Sequence, residues 1–506
     1  MQEFQLAIEH LFFSFPPWPL LWVLIGTVLG VVVGAVPGLT GAMLITLTLP
    51  ITYGMVAQDA MILLVSMYVG SISGGLITAT LLRMPGTPAS IITTLDGYPL
   101  AKTGRPGRAL GLGILASFAG GCISWIFLLT LSYPISEVST KLGPFDYFSL
   151  VLVALVLISS VSGDSLVRGL FAGMLGILCQ MPGESPATGE IRWTMGINEL
   201  NGGFSLLPVL MGMFAISQVI HEVGQSQRKA ESIDVGDDSM RLSRKDVKQH
   251  GGNMVRSSLI GTWVGILPGI GANIGSVMAY SAARGVSKEP EKFGKGSEEG
   301  IVASEAANNA TVGGALIPLV AMGIPGSVID AILLGALVLH GLQPGVRLFS
   351  DQPDVVYAII VTMFVANAVM FGFMLCSTRW IARLARVPKY ALMPIVLVFC
   401  VIGSYALNNR LFDVWVMMLF GLVGFVMERC KMPLAPFVIG FVLAPIAEKQ
   451  IGEALQASAG SYLPLITSPV SAIFLVVAVV AFFLPFIRRR KITPLPDIEC
   501  VDDEQD

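Results

Sequence analysis

Apolar runs long enough, or nearly long enough, to cross a bilayer follow one another along most of the chain, and several are broken by Pro-Gly. They begin near residues 20, 42, 59, 108, 145, 165, 204, 254, 300, 328, 354, 389, 411, 433 and 466. A helical crossing needs about 17–25 apolar residues, and backbone polar groups cannot be left facing lipid. Some of these runs are short or interrupted. The pattern therefore predicts an all-α polytopic membrane protein, with roughly 10 to 14 transmembrane helices plus re-entrant or broken helices at the Pro-Gly motifs. Composition agrees, since 13% of the 506 residues are charged and 54% are hydrophobic, against about 25% charge in a soluble domain. A cytosolic enzyme, a disordered scaffold and a secreted disulfide protein are excluded. A formal net charge of −3 with no extended basic face argues against nucleic acid as a partner and leaves the lipid bilayer.

The first run, Pro19 to Val36, follows no Lys or Arg and continues into more apolar chain, so it reads as a retained helix and not a cleaved signal. One internal segment reads as a soluble loop, residues 223–253. There Arg228, Lys229, Arg241, Arg244, Lys245 and Lys248 interleave with Glu231, Asp234, Asp237, Asp238 and Asp246. The last apolar helix ends in Arg488, Arg489, Arg490 and Lys491. Positive residues mark the cytoplasmic side, which puts the loop and C-terminus inside and the N-terminus outside. The expected organisation is an N-terminal transmembrane repeat (1–222), a cytoplasmic linker (223–253), a C-terminal transmembrane repeat (254–487) and a cytoplasmic tail (488–506).

The two halves repeat. Gly30-Val-Val-Val-Gly34-Ala-Val-Pro37-Gly38-Leu39 matches Gly261-Thr-Trp-Val-Gly265-Ile-Leu-Pro268-Gly269-Ile270, 231 residues later. Gly74-Gly75 through Pro85-Gly86-Thr87 matches Gly313-Gly314 through Pro325-Gly326-Ser327, with the Pro-Gly pairs 240 residues apart. Arg105-Pro106-Gly107 and Gln343-Pro344-Gly345 follow at 238. The first copy starts outside and the second just after a cytoplasmic loop, so the two repeats are inverted, an arrangement common in secondary transporters.

Pro-Gly within an apolar run stops a helix, because proline lacks the N–H and glycine leaves helical dihedrals readily. A half-helix restarting after the break offers free N–H donors and a positive dipole end, which suit an anion. Thr87 fits an N-cap with Pro88 at the first helical position, and Ser327 with Asp330 resembles a capping box. Thr40 and Asn273 follow the other two breaks closely. Pro37, Gly38, Thr40, Gly86, Thr87, Gly269, Asn273, Gly326 and Ser327 are thus candidate substrate-binding residues. The plainer reading of each break alone is a packing kink; its pairing across repeats points to a site.

In Ser304-Glu305-Ala-Ala-Asn308-Asn309-Ala-Thr311, Glu305, Asn308 and Asn309 share one helix face. Such groups at membrane depth are costly and mark function. A carboxylate repels an anion, so Glu305 suits a coupling cation, Na+ or H+, and the amides suit the substrate. The charged cluster Lys288–Lys295 and Glu298–Glu299 lies just before, so Glu305 alternatively sits at the aqueous boundary. Arg83 either pairs with a substrate carboxylate or complements a helix C-terminus, and Asp96 is expected at the aqueous side near Lys102 and Arg105. Six dispersed cysteines and four dispersed histidines suggest no metal site. No phosphate-binding loop, dinucleotide fingerprint or H-E-x-x-H occurs, so an enzyme is not expected and no cofactor beyond the coupling cation is implied.

Ala35-Val-Pro-Gly-Leu-Thr-Gly41, Glu305-Ala-Ala-Asn-Asn-Ala310, Gly313-Gly-Ala-Leu-Ile-Pro318 and Gly323-Ile-Pro-Gly-Ser327 resemble the large membrane subunit of tripartite tricarboxylate transporters, the TctA family. Pro186-Ala-Thr-Gly189 with Arg192, and Gly212-Met-Phe-Ala-Ile-Ser217, add to a resemblance that covers roughly residues 15–485. It implies a bacterial inner-membrane, cation-coupled uptake system for carboxylates such as citrate. It also implies a periplasmic solute-binding protein and a small four-helix membrane subunit as partners. The alternative is a passive carboxylate channel or structural membrane component.

Overall fold

The computed structural model describes residues 2–84, 86–87, 90–161, 165–223, 233, 240, 242–268, 271–384 and 389–488. Among the described residues the chain is all-α apart from one hairpin of two two-residue strands. The first half holds α1 (Gln2–Phe13), α2 (Trp18–Gly34), α3 (Gly41–Thr52), α4 (Ala57–Leu81), α5 (Ile91–Lys102), α6 (Pro106–Ser139), α7 (Pro144–Val161) and α8 (Leu166–Gln180). The hairpin (Gly183–Glu184 with Ile191–Arg192), α9 (Leu206–Leu210), a π-helical stretch (Met211–Ile216) and α10 (Ser217–Val223) complete it. The second half holds α11 (Arg244–Ile266), α12 (Gly271–Val286), α13 (Glu298–Met322), α14 (Val328–Leu339), α15 (Val346–Asp351), α16 (Pro353–Leu384) and α17 (Lys389–Asn408). It ends with α18 (Leu411–Arg429), α19 (Leu434–Ala457), α20 (Pro464–Thr467) and α21 (Pro469–Arg488).

The apolar runs divide into two lengths. Among the described residues, α4, α6, α16, α18 and α19 are long and apolar enough to cross a membrane, and α1 with α2, bent by 80°, makes a sixth candidate. Others are short: α3 and α5's counterpart α14 have 12 residues each, and α8 has 15. The Pro37-Gly38 and Pro325-Gly326 breaks stand directly before α3 and α14, because each forces the backbone out of the helix before the apolar run is spent.

Packing displays the repeat. Row on row, glycines of α2 meet backbone carbonyls of α4: an added Cβ at Gly30 would lie 2.5 Å from the Met67 oxygen, and at Gly34 2.2 Å from the Ser71 oxygen. In the second half the same is true of Gly261 on Ala307 (2.3 Å) and Gly265 on Thr311 (2.6 Å). Gly74 against the Val31 oxygen corresponds to Gly314 against the Thr262 oxygen, and Gly86 against Gly34 to Gly326 against Gly265. Small residues permit this approach of helix backbones inside a membrane. These contacts align Gly74 with Gly314, one residue away from the pairing of the two Gly-Gly dyads read in the sequence. The break between Gly75 and Pro85 is one residue shorter than its counterpart, so contact order, not the dyads, sets the register.

Direction follows from the same contacts. Along α2 the contacts with α4 advance together, so the two helices run parallel and α3 must fold back between them. The pair α2–α3 is a re-entrant hairpin with Gly38 (φ 87°) at its tip, and α11–α12 is its counterpart. Gly86 lies by Gly75 and Gly97 by Thr80, so α5 runs with α4. Thr93 meets Ser304 while Asp96 meets Gly300, so α5 runs against α13. The equivalent helices α4 and α13 are therefore antiparallel, and the repeats are inverted.

These two helices form the middle of the molecule, with every residue from Ala60 to Leu81 and from Gly300 to Ala321 buried. At the periphery, α17, α18 and α21 expose Phe399, Ile402, Trp415, Leu422, Val476 and Val480. An apolar exterior around a small-residue interior suits a lipid solvent. The segment read as a soluble loop is shorter than expected. Arg244–Asn253 is helical, the opening turns of α11, begun by a capping box between Ser243 and Asp246. Of the rest of that loop, the described residues are Val223, Ile233, Met240, Leu242 and Ser243.

Candidate substrate and cation site

Each half-helix leans on the other repeat's hairpin. The start of α14 meets the tip of α2–α3, where an added Cβ at Gly41 would lie 3.2 Å from Ile329 and 2.2 Å from Ser71 Oγ. Thr40 caps α3 by accepting from the Met43 N–H (3.1 Å), as its place after Pro37-Gly38 predicts. Ser327 caps α14, accepting from the Asp330 N–H at 3.4 Å. The Tyr68 hydroxyl, from α4, lies 3.3 Å from Ser327 Oγ. Hairpin tip, central helix and half-helix start therefore converge in one buried place.

The inverted counterpart gathers α5, α6, α12 and α13. Glu305 is fully buried and does not face solvent. Its Oε1 accepts from Thr93 Oγ1 (2.6 Å) and its Oε2 from Ser117 Oγ (3.1 Å). Ser276, from the second hairpin, donates to the Ser304 carbonyl (3.2 Å). The Asn309 side chain joins the repeats: its Oδ1 accepts from Ser73 (2.6 Å) and its Nδ2 donates to the Glu305 carbonyl (3.2 Å). Beside it, Asn308 is equally buried and its side chain interacts with the Glu305 carboxylate, yet among the described residues neither its Oδ1 nor its Nδ2 has a partner in hydrogen-bond geometry. Leaving a buried amide unpaired costs about 1–3 kcal/mol, so a ligand that completes it is favoured.

The remaining predicted positions divide. Pro37 and Gly86 are buried and Gly38 half-buried, all along the breaks. Thr87 is buried, but α5 does not begin beside it. The Thr87 N–H donates to Ser90 Oγ (3.1 Å) and the Ser90 hydroxyl donates back to the Thr87 carbonyl (2.8 Å), closing a local turn that delays the helix to Ile91. Pro88, expected as the first helical residue, and Gly269 lie outside the described residues. Gly326 is buried against Ala315 and Gly265. Arg83 and Asn273 are exposed and do not join the buried cluster. Arg83 has φ 54° at the end of α4 and its guanidinium lies 5.8 Å from the Tyr98 ring centre. Its equivalent in the second repeat is Gly323, also left-handed at φ 70°.

With this geometry in place, comparison with known proteins supplies the family. The model of the tripartite tricarboxylate transporter TctA family matches residues 20–439. The chain belongs to the TctA family. A relative from Agrobacterium vitis, described as an uncharacterized 52.8 kDa protein in the TAR-I ttuC' 3' region, is 33% identical over 451 residues, covering 88% of this chain and 89% of its own. A second protein from that organism, described as an uncharacterized protein in the TAR-II ttuC' 3' region, is 34% identical over 234 residues, 46% of this chain and 97% of its own. No solved structure matches.

At the linker end of this TctA chain an ionic clasp joins three helices. Arg108 donates to Glu298 through Nε (3.0 Å) and a terminal nitrogen (2.8 Å), and to Asp246 (2.7 Å). Burial alone would raise the Asp246 carboxyl, but the Ser243 N–H and then Arg108 outweigh it and hold the group below its usual range. Asp96, expected at the aqueous side, is instead buried. It accepts from the N–H groups of Gly294 (2.8 Å), Gly296 (2.9 Å) and Ser297 (2.8 Å) and from the Tyr280 hydroxyl (2.8 Å).

Sequence reading missed Tyr68, Ser73, Thr93 and Ser117 as site neighbours and took Asp330 for a cap alone. A signal existed. At the 240-residue spacing of the Pro-Gly pairs, Tyr68 falls on Asn308 and Ser90 on Asp330. Carrying that alignment through the intervening helix would have nominated both.

Proposed function

We propose that this chain is the large membrane subunit of a binding-protein-dependent secondary transporter, importing tricarboxylates or related carboxylates such as citrate by symport with Na+ or H+. The observation that carries the reading is the Asn308 amide, buried and without a hydrogen-bond partner among the described residues, beside the Asn309 side chain that joins the two repeats. A carboxylate takes hydrogen bonds from an amide N–H and from helix N-termini, and the dipole ends favour its charge. Glu305, acceptor-only when ionised, is the cation group. The family supports membership of a tripartite system, and a periplasmic solute-binding protein and a small four-helix subunit are the partners in this reading. The linker face, carrying Arg105, Arg108, Arg244, Lys245 and Lys248, is cytoplasmic on the positive-inside rule.

The test is uptake by the full complex reconstituted in vesicles, against a panel of radiolabelled di- and tricarboxylates under imposed Na+ or proton gradients. Accumulation is expected for at least one carboxylate and one gradient, and Glu305→Gln is expected to uncouple the two while exchange persists. Equilibration that ignores both gradients would instead identify a passive channel.

A further inference from the structure

A second carboxylate lies as deep as Glu305 and is treated very differently by its surroundings. Asp330, in the first turn of α14, is fully buried, and neither of its carboxylate oxygens has a hydrogen-bond partner among the described residues. Glu305, by contrast, accepts from two hydroxyls. The polar groups that interact with the Asp330 carboxylate are the Tyr68 hydroxyl and Ser327, themselves 3.3 Å apart.

Among the described residues no positive side chain is placed against it. α14 packs on α3, α4, α9, α13 and α19. α3 and α9 contain no titratable residue. On α4, Asp59 is engaged by His10 (3.0 Å), leaving Tyr68. On α13, Glu298 is held by Arg108 and Glu305 by Thr93 and Ser117. On α19, Glu448 is bound by Arg192 and Ser185, while Lys449 is 55% exposed and 4.0 Å from Glu453. A carboxylate buried with no partner charge and no donor in hydrogen-bond geometry is too costly to persist: it is neutralised by a proton or by a bound cation. The helix dipole at the start of α14 lessens that cost without removing it. The inverted repeat has Ser90 at the corresponding place, where its hydroxyl closes a turn with Thr87. The acid is therefore an addition to one repeat and not a requirement of the fold.

We propose that Asp330 is a second cation-holding carboxylate, separate from Glu305, which carries a proton or a dehydrated Na+ between α14 and α4, with the Tyr68 and Ser327 oxygens completing the site. This builds on the symport reading, but its test needs no transport. A proton satisfies the carboxylate by itself, whereas Na+ recruits both hydroxyl oxygens as well.

Infrared difference spectra of the full-length chain in bilayers test it, recorded across a pH titration in choline chloride and again in NaCl at equal ionic strength. The wild type is expected to show a carboxylic-acid C=O band at neutral pH that Asp330→Asn removes and Glu305→Gln leaves. If Na+ is the occupant, NaCl abolishes that band at the same pH; if the proton is, NaCl leaves it. Tyr68→Phe removes no acid and keeps the test open should Asp330→Asn fail to fold. It is expected to shift the frequency of that band and to move its titration midpoint about tenfold in proton concentration, the worth of one hydrogen bond to a charged group. The proposal is overturned if Asp330→Asn reproduces the wild-type spectra in both salts, or if Tyr68→Phe moves no carboxyl band.

Discussion

Asn308 and Asn309 are neighbours of the same chemistry on the same buried helix, and the structure assigns them opposite energetics. Asn309 makes two hydrogen bonds, to Ser73 (2.6 Å) and to the Glu305 carbonyl (3.2 Å). Replacing it with leucine, which has the same number of side-chain heavy atoms and the same branching, removes both at about 0.5–1.5 kcal/mol each. The Ser73 hydroxyl keeps the Val69 carbonyl as an acceptor at 3.2 Å, so little is added for an orphaned donor. A loss of about 1–3 kcal/mol follows. Asn308→Leu removes two polar atoms that are unpaired among the described residues, relieving a desolvation cost of about 1–3 kcal/mol. That variant is expected to be as stable as the wild type or more so, and to take up no carboxylate. Denaturation of the purified protein followed by tryptophan fluorescence, paired with vesicle uptake, separates the two variants. Asn308→Leu destabilised as much as Asn309→Leu would show that the amide serves the fold. A stable Asn308→Leu with normal uptake would remove it from the substrate site.

Other variants probe the frame around the site. Arg83→Gly relieves a left-handed residue and is expected to stabilise by about 1 kcal/mol with uptake retained; lost uptake would give the exposed guanidinium a role in handling the anion. Gly34→Ala and Gly265→Ala drive a methyl to 2.2 Å and 2.6 Å from backbone oxygens and are each expected to cost about 1–3 kcal/mol, read as lost yield of monodisperse protein. Gly251→Ala, with nothing within 4 Å, serves as their neutral control. Asp246 has a lowered folded value against an ordinary 3.8, so its contribution is complete above pH 3.8 and fades as pH falls toward the lowered value. Proteolysis of the linker face is expected to rise over that acid interval in the wild type, and Asp246→Asn is expected to reduce the dependence, the likewise lowered Glu298 carboxyl keeping the remainder.

Much of this organisation is legible in the residues. Pro-Gly pairs inside apolar runs dictate half-length helices, and their recurrence dictates two repeats, because proline and glycine act on the backbone locally wherever they stand. Thr40 and Ser327 are readable as caps for the same reason. What depends on long-range contact is not readable. Nothing near Arg83 in sequence distinguishes a buried cation from one turned outward over Tyr98. Thr87 looks like a helix start until Ser90 is seen closing the turn behind it. Asp96 has the composition of a surface residue, and only the backbone of residues 294–297 folding over it explains its burial. Asn308 and Asn309 are indistinguishable until Ser73 arrives from 236 positions away to choose one of them.

The glycine rows carry a mechanical consequence. Where α2 meets α4, and α11 meets α13, backbone presses on backbone with no side chain between to change rotamer. Such seams can neither compress nor slide by fractions of a residue. Any movement of a hairpin therefore carries its central helix with it, since no side chain at the glycine contacts can yield first. Compliance is left to the boundaries padded by side chains, such as the one between α14 and α19, and variants there should alter the speed of the cycle while those in the glycine seams abolish the machine.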